Sequence, residues 1–333
     1  MRHTWGSGYV AGTNTLSAHL IRSVIALFVL GGSAQANEFF VLGGDSDPNI
    51  IRVDATTGQF IGNGGSVGES FYDMTWGPDG YIYGAGMGIG NGIINRFRSD
   101  GSFVSAFVPP GLADYGNTGT NPSRIAFGAD GNLYASSTRF QLFGGFSKQG
   151  LLEFNGQTGA YMGAVLTDSI TDVARGPDQQ LYVAEPGTIR RYNFTTNAWS
   201  TFENNGLAAD AMAFGPDNDL YVLSNHSVLQ YDSQGNLLGT FATISSTFTS
   251  LHDLTFGGEG DLYVTDENTM SILRFDGDTG APLGTFSSLA SVIQFPTESM
   301  FGILLVPEPS AGMIAIAAIM GLGIRRHRLN FSS

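Results

Sequence analysis

Carboxylates recur at one place in a repeating segment of this chain. Asp73, Asp172 and Asp253 each open a short apolar run that leads to Gly and then to Tyr, and Arg124, Asp210 or Ala211, and Glu298 stand at the corresponding places. Later in the segments lie Glu185, Asn225, Asp266 and Glu267, while His226 follows Asn225 and His252 precedes Asp253. Carboxylate and amide oxygens suit Ca²⁺ or another hard divalent cation, and imidazole would admit a softer one. A metal held there would polarise a lactone or ester carbonyl and activate water. The same aspartates have a plainer use, because a carboxylate that accepts backbone N–H groups orders the turn it sits in. An acid repeated at one repeat position reads first in this second way.

The segments themselves announce their elements. Asp73-Met-Thr-Trp-Gly-Pro-Asp-Gly-Tyr-Ile-Tyr83 returns around Tyr134, Tyr182, Tyr221 and Tyr263, a period of roughly 40–50 residues that fits propeller blades. Each unit continues with an apolar-apolar-polar-aromatic strand, such as Ile272-Leu273-Arg274-Phe275, then a polar turn such as Asp276–Gly280. A fourth strand ends at Phe107, Phe202, Phe241 or Phe286. The Pro-Asp-Gly runs suit tight hairpins, where Gly and Asp accept unusual backbone angles. The first unit, from Glu38, lacks an inner strand, and Met300–Leu304 supplies one with no unit after it. The expected fold is therefore all-β: a six-bladed β-propeller of four-stranded blades over residues 37–306, closed by pairing of Met300–Leu304 with Phe39–Val41. Pairing the termini hides two sheet edges. The inner strands line the channel, so the candidate ligand-binding set at its mouth is Asp73, Arg124, Asp172, Glu185, Asn225, His252, Asp253, Asp266 and Glu298, with no residue assigned to catalysis. Two longer connections, Pro109–Ser123 and Ser137–Gly150, carry Tyr115, Arg139, Phe140, Phe143 and Phe146 to the same face. These aromatics either stack on sugar rings or cover a blade edge. Gly84–Gly90 is glycine-rich but lacks the helix and lysine of a phosphate cradle, so it reads as a blade loop.

Both ends read as addresses. Residues 1–36 combine Arg2 and Arg22, the apolar Ser23–Gly31 and Ala34-Gln35-Ala36, the layout of a signal peptide cut by signal peptidase. Residues 307–333 run from Pro307-Glu308-Pro309 through the apolar 311–324 stretch to Arg325, Arg326 and Arg328. That stretch is expected to form a short hydrophobic helix held briefly in the membrane, with the arginines on the cytoplasmic side. The order of its parts resembles the PEP-CTERM sorting signal of bacterial exported proteins. The resemblance implies an exosortase-type sorting peptidase as partner and a final place in the cell envelope, at the cell surface or outside the cell. The blade motifs resemble those of NHL-repeat and gluconolactonase-like six-bladed propellers. That second resemblance implies a Glu, Asn and Asp set around a metal; Glu185, Asn225 and Asp253 match in type, at a spacing that does not transfer residue by residue.

Composition narrows the function. The chain has 29 acidic and 15 basic residues, a net charge of −14 and no cysteine. A thiolate metal site and a cysteine nucleophile are excluded, and a nucleic-acid surface is disfavoured. The segment 37–306 holds 28 of the acids and 10 of the bases, so it is more acidic than the whole chain, and the two ends together carry a net positive charge. The function expected is a non-catalytic binding or interaction module that takes polysaccharide or another envelope protein. The alternative is a metal-dependent lactonase, hydrolase or lyase with its site at the channel mouth.

Overall fold

The computed structural model describes residues 36–43, 50–65, 70–87, 92–109, 120–141, 145–292 and 300–307. Among them there are six antiparallel four-stranded sheets and no helix. Blade 1 is ordered Met300–Pro307, Ala36–Gly43, Ile50–Asp54, Phe60–Asn63, so the last strand lies beside the first. Blades 2 to 6 follow in chain order, with inner strands Ser70–Trp76, Thr120–Phe127, Asp172–Arg175, Ala211–Phe214 and Leu251–Phe256. The expected six blades and their closure by the terminal strands are therefore both present. The expected signal peptide, apart from its last residue, and the hydrophobic C-terminal segment fall outside the described residues, as do Glu308, Pro309, Arg325, Arg326 and Arg328.

Alternation along each strand turns apolar side chains to both faces of a blade, and each face is covered by a neighbour. The described residues form six buried apolar clusters, one at each junction between consecutive blades. An open stack of six sheets has five such junctions. The sixth joins Phe39, Val41 and Ile303 of blade 1 to Tyr263 and Ile272 of blade 6, which makes the stack a ring.

The recurrent Gly-Pro-Asp-x-x-Leu-Tyr run now has a physical explanation. In blade 4 the Tyr182 hydroxyl donates to Asp178 at 2.9 Å, and the same carboxylate accepts the Gln180 N–H at 3.0 Å. A Cβ on Gly176 would meet the Tyr182 ring at 2.6 Å, so no larger residue fits beneath it. The ring is then gripped by Phe202 of its own blade and Phe214 of the next, at 5.1 and 4.9 Å between centroids. Tyr83 and Tyr221 repeat this with Asp79 and Asp217 and with Phe pairs of their own. Such edge-on ring contacts contribute about 0.5–1.5 kcal/mol each beyond burial.

Two expectations of irregular chain are corrected. Ser137–Gly150 is largely a hairpin extension rather than a loop, because strands Leu133–Gln141 and Gly145–Phe154 stay paired out to Gln141 and Gly145. Gly84 lies within strand Ile82–Met87, packed on the Phe71 and Phe97 rings, instead of in a loop. Tyr115 and Phe143 lie outside the described residues.

Candidate functional site

Each inner strand is paired on one side only, so its other backbone edge faces the channel. Three carboxylates satisfy that edge all the way round. Asp73 accepts the N–H of Met74 and, across the blade junction, the N–H of Ile125, both at 2.7 Å. Asp172 accepts Val173 N–H at 2.8 Å and Met212 N–H at 2.6 Å. Asp253 accepts Leu254 N–H and Ile303 N–H, both at 2.9 Å. Blades 2, 4 and 6 thus each clasp the next blade, and six carboxylate oxygens meet one N–H from each of the six inner strands. The blades that receive the clasp carry Arg124, Ala211 and Gly302 at the equivalent position. A Cβ on Gly302 would come within 3.2 Å of the Asp73 backbone, so that neighbour leaves little room for a side chain.

Arg124 occupies the middle of this layer at 7 % exposure. It reaches from blade 3 to blade 6, where its Nη2 donates to the His252 carbonyl at 2.8 Å and lies 3.3 Å from His252 Nδ1. Its guanidinium stands 3.9 Å from Asp172 and 3.7 Å from Asp253. Burial works against the guanidinium's charge, but Asp172, Asp253 and Asp73 outweigh it and raise its pKa. Burial also raises all three carboxylates despite Arg124, Asp73 well above its usual value and Asp172 to about 7. His252 moves the other way, to about 3, because it is buried and faces Arg124. It is a neutral ring near pH 7.

The remaining candidates are distributed over separate blades. Glu185 ends the second strand of blade 4 and pairs with Arg190 at 3.2 Å; burial raises its pKa. Asn225 turns the hairpin of blade 5 with a φ of 53° and donates its N–H to Asp210 at 2.9 Å. Asp210 thus stands just before the inner strand and holds that hairpin turn, and the clasp position is Ala211. Asp266 is fully buried and accepts from Ser250 N–H, Thr269 N–H and the Thr269 hydroxyl. Glu298 lies outside the described residues, and in the strand Met300–Pro307 the clasp position is Gly302. The structure therefore brings together Asp73, Arg124, Asp172, His252 and Asp253, within the channel rather than at its mouth. The role that the sequence reading missed was the clasp itself. Its signal was an acid in every second repeat, at Asp73, Asp172 and Asp253.

A divalent ion does not fit these residues. The clasp carboxylates already accept backbone N–H groups, and a guanidinium stands between them. Among the described residues no three of His, Asp or Glu converge as a ligand set. The Asp276 turn likewise spends its carboxylate on the Thr279 N–H and hydroxyl. Beyond the carboxylate layer, toward the first hairpin turn of each blade, the channel widens into a hollow of about 380 Å³. Trp76, Phe127, Arg175 and Phe214 stand at its outer end.

No family model matches the chain, and no curated protein resembles it in sequence. Similarity to solved structures is of shape. A protein of unknown function from Bacteroides caccae is 12 % identical, with a TM-score of 0.54 over 82 % of this chain and 100 % of that one. A chain from a nidogen–laminin complex is 14 % identical, with a TM-score of 0.58 over 81 % of this chain and 98 % of that one. At these identities the likeness establishes the six-bladed propeller fold.

Proposed function

We propose that the protein is an exported, envelope-associated propeller that works as a non-catalytic binding module. One observation carries this reading. The titratable groups that the fold gathers in its channel are engaged in holding blades together, and a group occupied in that way is a poor nucleophile or general base. The surface address is supported by the sequence at both ends: a signal peptide over 1–36 and a sorting signal over 307–333. Signal peptidase and an exosortase-type peptidase are the processing partners that these signals call for. Polysaccharide or another envelope protein is the ligand class suited to that location.

The test is a ligand and turnover screen on the secreted chain, with glycans and lactones, with and without chelator. Binding without turnover, and a melting temperature unmoved by EDTA, are the expected results. Chelator-sensitive hydrolysis of any lactone would replace this reading with the lactonase alternative. Intact-mass analysis of the secreted protein should show residues 1–36 removed.

A further inference from the structure

The junction between blades 4 and 5 departs from the repeat twice at one place. The fourth strand of a blade pairs Val108, Leu166, Ala242 or Ser287 with Ile94, Leu151, Val228 or Ile272 of the third. In blade 4 the residue paired in this way with Ile189 is Glu203. A bulge beside it buries Phe202 and Glu203 together, and Glu203 is 5 % exposed. The third strand ends on Phe97, Phe154 and Phe275 in blades 2, 3 and 6, and on the fully buried Tyr231 in blade 5. Tyr192, the counterpart in blade 4, donates its hydroxyl to Asn197 at 3.3 Å.

The chain does not fully satisfy either polar group. Glu203 Oε1 accepts the Asn205 N–H, but the buried Oε2 meets no donor, and the buried Tyr231 hydroxyl meets no partner. Among the described residues no basic side chain forms an ion pair with Glu203. The two groups share one junction, where the Phe202 and Tyr231 rings are 6.4 Å apart. Burial raises the Tyr231 pKa, the nearby Asn205 side chain lowers it, and the Glu203 charge raises it again. A buried carboxylate oxygen and a buried hydroxyl are each costly when left unmade. The apolar residues of the other blades carry no such cost. Asn204, Asn205 and Gly206 are exposed, so the way in from solvent is short.

The charge of this pair selects its ligand. Glu203 brings one negative charge. Tyr231 keeps its proton, since burial moves it above its ordinary value, and offers a neutral oxygen. Calcium sites gather several carboxylates, and a divalent ion beside this single one would leave excess positive charge inside the junction. A singly charged ion leaves none. We propose that the junction of blades 4 and 5 binds one alkali cation, sodium or potassium, between Glu203 Oε2 and the Tyr231 hydroxyl oxygen, with the Asn205 side chain beside it. The ion ties the fourth strand of blade 4 to the third strand of blade 5. EDTA does not hold alkali ions, so this site and the binding-module reading are tested independently.

The experiment is thermal unfolding of the secreted chain in sodium, potassium and tetramethylammonium chloride at equal ionic strength. It is run on the wild type, Glu203→Gln and Tyr231→Phe. Tetramethylammonium carries the same charge and is too large for the junction. The wild type should melt about 2–4 °C higher in at least one alkali salt than in tetramethylammonium, with a saturable dependence on its concentration. The alkali salt with the larger effect identifies the ion. Glu203→Gln, which keeps the shape and removes the charge, should abolish the difference. Tyr231→Phe, which restores the residue of the other blades, should reduce it. Each comparison is made between salts within one variant, so a shift in a variant's overall stability does not enter. Equal melting of the wild type in the three salts would overturn the proposal and leave the two groups to bond each other, directly or through water. Persistence of the full difference in either variant would mark an ordinary salt effect and overturn it as well.

Discussion

Aspartates at the two ends of the same short inner strands do different work. At the first hairpin turn, Asp79, Asp130, Asp178 and Asp217 each take bonds from residues two and four positions along the chain. These contacts are local, partly open to water and complete within one blade. In the channel, Asp73, Asp172 and Asp253 reach residues 52, 40 and 50 positions away in the next blade. Those contacts are buried at Asp172 and Asp253 and partly buried at Asp73, and they exist only once two blades have met. The turn aspartates therefore shape a blade, while the channel aspartates hold the ring. Loss of a turn acid should remain a local matter, and loss of a channel acid should be felt by the whole domain.

The largest effect is expected at Arg124. Arg124→Met removes the one cation among three buried carboxylates, and uncompensated buried charge costs about 3–5 kcal/mol. Urea denaturation should show a loss of that size; a loss under about 1 kcal/mol would mean the guanidinium is not what balances the layer. Asp253→Ala comes next, because it strands the Leu254 and Ile303 N–H groups at the junction that closes the ring. Two buried donors left unmade cost about 2–4 kcal/mol together. Asp253→Asn keeps one acceptor oxygen and should recover part of it.

The pH dependence follows from the same layer. A carboxylate whose pKa is raised on folding stabilises the fold below its unfolded value and loses that contribution as pH rises through its folded value. For Asp172 the window runs from its ordinary value of 3.8 up to about 7. His252, lowered from 6.5 to about 3, opposes this, since its contribution is present above 6.5 and is lost on acidification. His252→Gln should therefore make the gain in melting temperature between pH 7 and pH 5 larger than in wild type. A variant whose pH slope matches the wild type would remove His252 from the balance. At the turns the effects shrink: Asp178→Ala should cost about 1–2 kcal/mol, the net worth of its bonds from the Gln180 N–H and the Tyr182 hydroxyl. Gln179 sits at a φ of 66° where the equivalent residue in blade 3 is Gly131. Gln179→Gly should stabilise by about 0.5–1 kcal/mol, a thermal shift small enough to need differential scanning calorimetry.

The local half of this comparison was legible in the sequence and the non-local half was not. The Gly-Pro-Asp-x-x-Leu-Tyr run specifies its own hairpin, so blade count and strand order could be read from repeats alone. The closing strand could be read because its inner-strand pattern had no partner elsewhere. The channel residues were found by type but placed at a mouth, because position across a ring depends on how blades dock and not on any one repeat. Asp210 and Ala211 stood as alternatives, and Glu298 was given the place of Gly302, for the same reason: nothing within a single repeat says which residue points across the junction.

The alternation of clasping and clasped blades also sets a parity on the ring. A carboxylate with two oxygens serves two strands, so the inner layer closes without remainder only when blades are even in number. Growth of such a ring by a single extra blade would leave one inner N–H with no acceptor and interrupt the alternation of acid and non-acid. Growth by two would not. The complete unit of this inner layer is then the blade pair, with parity written into the channel.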